Sequence, residues 1–533
     1  MTYEFKSRHS HQNSYRTSVR FFLLHGMIGG TSMKKYFDCF DEQKALVKEL
    51  VGIRSIVGSD GSEQTMAEHI HGIMSGWDYF RKRPDDLFLV PTDADTIGRS
   101  SVVAVVRTDA IGTSQQTAEA VLLLGHIDTV ETSDYGVLEP LACSPDELQT
   151  ALRAICSDEV ARDIDSGRYM FGRGALDMKS GVACYMYVLK HFSENRSELK
   201  GNLIALFECD EEGDSHGMIT SVRFIKELAE KENIHIKAAL CADYSSNEAA
   251  AYLGTIGKYL PCVMAFGKSS HVGQVFSSVD PNLIISETVC ALDYNTALCE
   301  ENLGEMTQPP VSLKQSDMKQ TYSVQTADSA YAYFNWFSLK KTEDEILEIC
   351  RTEARKAAER AAEKIAASHR EHIAKLKASR ASIPQGEEQI TVPVPKVMTI
   401  NEYAKNVGKE LREPDPFTDI RQFWISEAAR LRSADREMSP VVLVFMAGVS
   451  YTPVTVDPGS ELGTAVSSLG IPVRTYYPFI SDASFVSRLG DVPVVNLGTY
   501  GKDAHMFTER ADMEYCFDRL PNLTWELLVK ILD

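Results

Sequence analysis

Hydrophobic residues in the first half of the chain follow two spacings, one helical and one typical of short strands. From Glu42 to Ile53 and from Glu63 to Met74 they recur at helical intervals, which predicts two helices separated by a loop at Gly58–Gly61. Further on, short apolar runs alternate with helical stretches. The strands are predicted at Ser101–Val106, Ala120–His126, Asn202–Cys209 and Ala238–Asp243, and the helices at Met178–Phe192 and Ser221–Lys231. This order predicts an α/β sheet covered by helices, with ligands beyond the carboxyl ends of its strands.

The pattern changes after Gly257. Strands are predicted at Tyr259–Phe266, Ser329–Ser338 and Val441–Ala447, and a helix at Pro281–Ala291. A long charged helix begins with a Thr342-x-x-Glu345 capping box and is expected to be a solvated amphipathic helix. The α/β alternation resumes after Pro458. We therefore predict a catalytic domain formed by residues 33–258 and 456–533, interrupted by an α+β insertion at 259–455 whose charged helix lies near 342–378.

Composition restricts the partners and the compartment. The formal charge of −20 disfavours a nucleic-acid partner. The 11 cysteines include no Cys-x-x-Cys pair, and several lie in apolar runs, which favours a reducing cytoplasm over a disulfide framework. No run approaches the ~20 apolar residues that span a bilayer, so we expect no membrane partner.

Residues 1–32 are predicted to be a poorly ordered leader. Their apolar stretch Phe21–Gly30 is short, contains His25 and lacks a small-residue cleavage site. Met33 begins a sequence more typical of a protein start.

The first chemical motif is Gly125-His126-Ile127-Asp128, at the end of a predicted strand. Residues two positions apart in an extended chain lie on the same side, so an imidazole and a carboxylate face one direction. His126 would bind a metal through one ring nitrogen, while Asp128 would accept the other N–H or hold the neighbouring loop. The alternative is a structural histidine without a metal.

Two further segments supply carboxylates. Asp177 lies in the glycine-rich segment GRGALDMKSG, where it would either cap the following helix or bridge two cations. The segment DEEGDSHG, which begins at Asp210, places four carboxylates within five residues after a strand. Such a concentration of charge is costly unless solvent or cations neutralise it.

Asp243 follows the next apolar strand, and His505 lies in a late loop. With His126, Asp177 and the DEEGDSHG segment they offer nitrogen and oxygen ligands without a thiolate. This inventory suits zinc, with manganese or cobalt as substitutes.

The segments GHID, GRGALDMKSG and DEEGDSHG, in this order, resemble the zinc peptidase family of carboxypeptidase G, aminoacylase, acetylornithine deacetylase and succinyl-diaminopimelate desuccinylase. The resemblance covers nearly everything after about Met33. It implies a catalytic domain with a mixed sheet covered by helices, an inserted lid and dimerisation domain, and two zinc ions.

The resemblance also implies roles for individual residues. His126 and Asp243 would bind one zinc, Glu212 and His505 the other, and Asp177 would bridge both. Glu211 resembles the general base. In the insertion, His271 of the segment GKSSHVG resembles the lid histidine that stabilises the oxyanion, from its own subunit or from a partner.

One departure concerns substrate recognition. Phe337 stands where the family commonly has an arginine that binds the substrate carboxylate, and a phenylalanine cannot form that bidentate pair. This feature, the enlarged insertion and the segments Tyr477–Asp482 and Gly501–Arg510 resemble most closely the arginine-utilisation (RocB-like) branch. Asp482 and Glu509 are interpreted either as groups that support the site or face the substrate, or as loop caps.

The leading hypothesis is a cytoplasmic dizinc amidohydrolase that acts on a peptide or N-acyl amino acid, in arginine or amino-acid catabolism. The resemblance implies a homodimer through an exposed sheet edge of the insertion; the alternative is a monomer in which the charged helix covers that edge. The alternative is a non-catalytic binding protein that keeps the metallopeptidase scaffold. A metal-independent serine or cysteine hydrolase is disfavoured because the chain has no Gly-x-Ser-x-Gly nucleophile elbow.

Overall fold

The computed structural model describes residues 34–59, 61–109, 118–245, 248–383, 388–414, 418–435, 437–478 and 481–532. The predicted leader, residues 1–32, lies outside these ranges. In the described residues, no helix combines the length and the apolar character needed to cross a bilayer.

The helices and strands alternate through most of the chain. The helices are α1 Phe40–Val51, α2 Ser62–Ser75, α3 Asp78–Lys82, α4 Pro145–Leu152, α5 Asp158–Ser166, α6 Ser180–Glu194, α7 His216–Glu232, α8 Pro281–Leu292, α9 Glu343–Ala378, α10 Ile400–Asn406, α11 Ile420–Ala434, α12 Glu461–Ser467 and α13 Leu520–Leu532. The strands are β1 Leu87–Pro91, β2 Ser100–Val106, β3 Ala118–His126, β4 Tyr169–Phe171, β5 Asn202–Glu208, β6 Ile234–Cys241, β7 Ala251–Tyr252, β8 Gly254–Thr255, β9 Gly257–Tyr259, β10 Pro261–Phe266, β11 Glu301–Asn302, β12 Glu305–Met306, β13 Val311–Asp317, β14 Ser329–Ser338, β15 Lys396–Thr399, β16 Val441–Met446, β17 Val454–Thr455, β18 Val473–Arg474, β19 Val494–Leu497, β20 Gly501–Lys502 and β21 Arg510–Asp512.

The larger sheet has the strand order β1-β2-β5-β3-β6-β19-β7-β18. Its central strands β5, β3, β6 and β19 are parallel to one another. The pairs β1–β2, β2–β5 and β19–β7 are antiparallel. The predicted α/β fold with a mixed sheet covered by helices is confirmed.

Alternate residues of the central strands enter two different cores. Val121 and Leu123 of β3 share a core with α1, α2, α6 and α13. Leu122 and Leu124 share another with α7. Because both faces of the sheet are covered, its strands appear in the sequence as continuous apolar runs instead of alternating ones.

The smaller sheet has the order β13-β14-β10-β16-β15, and β9 pairs with the end of β14. Helices α8 and α9 share a core with one face, to which Phe334 and Trp336 contribute. Helices α10 and α11 share a core with the other face, where Tyr331 and Tyr333 lie. The insertion therefore contains its own sheet with helices on both sides.

The chain passes between the two sheets at two neighbouring places. β8 pairs with β17, and Lys258 forms an antiparallel bridge with Tyr451. Strands of the larger sheet lie before residue 253 and after residue 472, and those of the smaller sheet lie between 257 and 446. The predicted boundary between residues 258 and 259 falls within β9, which pairs with β14 of the smaller sheet. The division into the domains 33–258 with 456–533 and 259–455 stays a prediction.

Two local predictions can be compared directly with the structure. The capping box is confirmed, because the side chains of Thr342 and Glu345 each accept a hydrogen bond from the backbone N–H of the other. The single strand predicted at Tyr259–Phe266 is instead two strands, β9 and β10, which pair with different parts of β14. Pro261, which has no N–H to donate, begins the second strand.

Candidate metal centre and active site

The site lies where three parallel strands of the larger sheet end. His126 is the last residue of β3 and pairs in register with Glu208, the last residue of β5. Asp243 follows the end of β6, which is the other neighbour of β3. The carboxyl ends of parallel strands meet at one edge of a sheet, so these three side chains start from adjacent positions.

The backbone carbonyl of Asp128 fixes the orientation of His126. His126 Nδ1 lies 3.1 Å from this oxygen, a contact that requires the proton on Nδ1 and turns Nε2 toward the other predicted ligands. The Asp128 carboxylate accepts a hydrogen bond from the backbone N–H of Glu212 at 3.0 Å. Asp128 thereby joins the loop that follows β3 to the loop that follows β5.

Asp177 presents its two oxygens to two histidines. Oδ1 lies 3.0 Å from His126 Nε2, and Oδ2 lies 3.2 Å from His505 Nε2. Asp177 lies in the segment Ala175–Lys179 just before α6, and its own backbone is not helical (φ −118°, ψ 97°). Since each oxygen faces a different imidazole, the carboxylate has the arrangement that a bridging ligand between two cations requires.

The five predicted ligands form two groups that share Asp177. The potential ligand atoms of His126, Asp177 and Asp243 lie within 4.8 Å of one another, as do those of Asp177, Glu212 and His505. His505 Nε2 is also 2.8 Å from Glu212 Oε1, and its side chain is 49% exposed. The second group therefore borders solvent, whereas the first is buried.

The chemistry of these donors fits divalent zinc. Two imidazoles and three carboxylates, without a thiol, are a ligand set that zinc accepts. Burial, together with the charge of Asp177, raises the pKa of Asp243 to about 7. Hydrogen bonds with Asp177 and Glu212 raise the pKa of His505 to about 11. Buried carboxylates that repel one another are costly, and cations at their centre would offset that cost.

Glu211 lies beside the predicted ligands. Potential ligand atoms of Glu211, His126 and Glu212 lie within 4.8 Å of one another. Burial raises the pKa of Glu211 well above its ordinary value, and the nearby carboxyl of Asp482 adds to this, although His126 opposes it. Glu211 therefore lies within reach of a molecule bound at the first group.

His271 and Phe337 lie in the insertion. His271 is exposed, and its Nδ1 accepts a hydrogen bond from the Gly273 N–H at 3.1 Å. Among the described residues, no contact joins His271 to the five predicted ligands. Phe337 is partly buried and pairs with Lys258 of β9.

Glu509 holds the backbone on which Asp177 lies. Its Oε1 accepts hydrogen bonds from the backbone N–H groups of Leu176 and Asp177, at 3.1 and 3.2 Å. Its Oε2 pairs with Arg173 at 2.8 Å, and both side chains are at most 1% exposed. Arg173 also pairs with Asp134. In this structure Glu509 supports the segment of Asp177.

A second supporting group lies behind the loop of Glu211. Ser215 Oγ donates a hydrogen bond to Asp482 Oδ1 at 2.5 Å and lies 2.9 Å from the hydroxyl of Tyr451. Asp482 is buried. Residues from two distant parts of the chain thus hold the start of α7 and the DEEGDSHG segment in place.

Sequence reasoning missed three residues at the site. Glu208 is 3% exposed at the end of an apolar strand. A carboxylate at the end of such a strand could have been recognised in the sequence as a candidate site residue. Arg173 stands in the glycine-rich segment quoted for Asp177, but its partner lies 336 positions away. No pattern in the sequence around Tyr451 indicated that it lies near the site.

Comparison with known proteins identifies the family of this chain. A model of "Peptidase family M20/M25/M40" matches residues 122–522. The Bacillus subtilis (strain 168) protein YqjN is 32% identical over 537 residues, covering 91% of this chain and 95% of YqjN. Protein RocB of the same organism is 27% identical, covering 92% of this chain and 95% of RocB. A solved structure of a putative aminohydrolase from methicillin-resistant Staphylococcus aureus aligns with a TM-score of 0.53 at 10% identity, covering 93% of this chain and 98% of that one, which supports the fold alone.

Proposed function

This chain belongs to peptidase family M20/M25/M40, a family of metal-dependent hydrolases, and we propose that it cleaves an amide bond of a peptide or an N-acyl amino acid with two bound zinc ions. The observation that carries this proposal is the pair of ligand groups that share Asp177. In the proposal His126 and Asp243 hold one zinc, Glu212 and His505 hold the other, and manganese or cobalt can substitute.

Each residue of the site has a separate role in the proposed reaction. The zinc pair would supply polarisation of the scissile carbonyl and acidification of the attacking water. Glu211 acts as the general base, which takes a proton from that water and returns it to the leaving amine. Asp128 keeps His126 in the required tautomer and holds the Glu212 backbone. His271, of the same subunit or of a partner, would donate a hydrogen bond to the oxyanion when the insertion closes over the site.

The physiological setting is part of the proposal. The similarity to RocB over 92% of the chain supports a place in arginine or amino-acid catabolism. The 11 cysteines are free thiols, which supports a cytoplasmic location. The edge strand β13 of the smaller sheet is partly exposed and offers an edge for a homodimer through the insertion. Sedimentation velocity at several protein concentrations would test the dimer.

The decisive experiment is hydrolysis of a panel of dipeptides and N-acyl amino acids by zinc-reconstituted protein. Glu211→Gln keeps the size of the side chain but removes the base, so we expect kcat to fall by about 100-fold or more, with zinc still bound. Glu359→Gln, an exposed residue of α9, is the matched control and should behave as the wild type. Removal of zinc by a chelator should also abolish turnover.

Two outcomes would contradict the proposal. Turnover that persists after complete metal removal would exclude the metal mechanism. A wild type that binds two zinc ions per chain but hydrolyses no member of the panel would favour the binding-protein alternative.

A further inference from the structure

The long charged helix α9 extends well beyond the sheet that it covers. Its residues in the core shared with the smaller sheet end at Ala361. The helix nevertheless continues to Ala378, which adds about 25 Å at 1.5 Å per residue. The outer side of this extension is solvated and carries an exposed ion pair between Glu363 and Arg370. Packing on the smaller sheet does not explain why the helix is so long.

The inner side of the extension continues the apolar stripe of the helix. His369 and Ile373 are buried, and because they are four positions apart they lie on one side of the helix. His369 is 3% exposed. One turn earlier, Ile365 borders the same small gap as Val279 and Ile284 of the segment after β10. The stripe therefore leads from the sheet toward the loop between β10 and α8.

That loop carries the predicted lid residue His271. The ring of Phe276, five positions after His271, lies between two histidines of the helix extension. Its centroid is 5.2 Å from that of His369, in an edge-on contact, and 5.5 Å from that of His372. Aromatic pairs at such distances contribute more than their buried area. The extension of α9 thus packs directly against the loop of His271.

A second segment holds the same loop through its backbone. The N–H of Val272 donates a hydrogen bond to the carbonyl of Val324 at 3.0 Å, and the N–H of Thr326 donates one to the carbonyl of Ser270 at 2.9 Å. These bonds flank His271, whose side chain is exposed. The segment before β14 therefore fixes one part of the loop, and Phe276 anchors the next part to α9.

We propose that the extension of α9 positions His271 for the reaction, through the contact of Phe276 with His369 and His372. The inference rests on the proposed function, in which His271 donates a hydrogen bond to the oxyanion. Such a donor is effective only at about 2.7–3.1 Å from the developing charge. Phe276, His369 and His372 are positioning residues, since they act through His271 and do not contact the substrate. The enlarged helix is then part of the catalytic apparatus.

A double-mutant cycle on the zinc-loaded protein tests this inference. Phe276→Ala, His271→Ala and the double variant are compared with the wild type on the best substrate of the panel, and kcat and KM are measured separately. Phe276→Tyr keeps the ring and is the conservative variant. Phe88→Ala is the matched control, because Phe88 is also partly buried and its ring lies 5.1 Å from that of Phe224, on an edge strand of the larger sheet.

We expect His271→Ala to lower kcat by about 100-fold or more, because an oxyanion donor is lost. Phe276→Ala should lower kcat by about 10-fold and change KM by less than about 3-fold, because the donor is misplaced but still present. In the His271→Ala background Phe276→Ala should have no further effect. Phe276→Tyr and Phe88→Ala should keep the kcat of the wild type. His372→Ala removes one ring from an exposed position and should lower kcat by about 3-fold.

Hydrogen exchange, measured by mass spectrometry, observes the loop without depending on turnover. Phe276→Ala should raise the exchange rate of peptides that cover residues 268–277 by about 10-fold, because the loop opens more easily when its anchor to α9 is lost. Peptides of the larger sheet should exchange as in the wild type. Phe88→Ala should leave the exchange of residues 268–277 unchanged.

The outcomes separate this inference from the proposed function. A wild type that hydrolyses no substrate contradicts the proposed function itself. An active wild type with an unimpaired His271→Ala variant contradicts the role of His271, and the role of α9 with it. An equal loss of kcat from Phe276→Ala with and without His271, or unchanged exchange of the loop, overturns the role of α9 while the amidohydrolase function stands. If Phe276→Ala does not fold, His372→Ala decides by the same two criteria.

Discussion

Replacing Glu509 by glutamine should weaken the metal centre without changing a ligand. Glu509 bonds to the backbone of Leu176 and Asp177 and pairs with the buried Arg173. Glutamine keeps the size of the side chain and one acceptor oxygen but loses the charge. Arg173 would then depend on Asp134, whose side chain is 35% exposed.

The size of the effect follows from these contacts. Removing one partner of a fully buried ion pair costs about 3–5 kcal/mol. Since Asp134 remains and the amide oxygen still accepts a hydrogen bond, we expect the free energy of unfolding of the zinc-free protein to fall by about 2 kcal/mol. Disturbing the groups that orient a metal ligand commonly costs 10- to 100-fold in metal affinity, and we expect about 10-fold weaker zinc binding.

Two measurements check this prediction. Competition with a chromophoric chelator gives the zinc affinity, and urea unfolding of the zinc-free protein gives the stability. Glu359→Gln serves again as the control. A variant with lower stability but unchanged zinc affinity would refute the inference that Glu509 positions Asp177, and a variant unchanged in both would refute the importance of the buried pair with Arg173.

Two further predictions concern stability. Zinc that binds only the folded protein should raise the free energy of unfolding by about 2.7 kcal/mol per site at a free zinc concentration 100 times Kd. Thermal unfolding with and without a chelator measures this effect. Equal unfolding midpoints in the two samples would contradict the prediction that the folded protein binds zinc. Burial raises the pKa of Asp163, but hydrogen bonds from Lys502 and Arg510 outweigh burial and lower it below its ordinary value. The carboxylate therefore stabilises the fold above pH ~4, and this contribution is lost as the pH falls through the lowered pKa. Asp163→Asn should thus cost about 1–3 kcal/mol at pH 7 in urea unfolding, with a deficit that shrinks toward pH 3.5; a deficit independent of pH would contradict this account.

The predicted ligands were accessible to sequence reasoning because each lies in a local pattern. His126, Asp177 and Asp243 follow apolar strands or precede a helix, and the carboxyl ends of parallel strands converge. Their grouping in space therefore followed from the predicted fold. The roles of these residues stay predictions until metal binding is measured.

The supporting contacts could not be predicted in the same way. The ion pair of Arg173 with Glu509 joins positions 336 residues apart, and the contact of Ser215 with Tyr451 joins positions 236 apart. No periodicity encodes such pairings. Helix α11 was also not predicted, although its buried residues Ile425, Ala428 and Leu431 recur at helical spacing.

The position of β19 has a consequence for synthesis of the protein. β19 lies between β6 and β7, so the edge of β6 has no partner until Val494–Leu497 has left the ribosome. At 5–20 residues per second this interval is on the order of tens of seconds. An unpaired apolar strand is an aggregation hazard during that time. Folding of the insertion would speed the pairing of β19 with β6. The bridge between Lys258 and Tyr451 brings the two ends of the insertion together, so β19 closes a shorter loop when it pairs. We therefore expect nascent chains with an unstable insertion to aggregate before the larger sheet is complete.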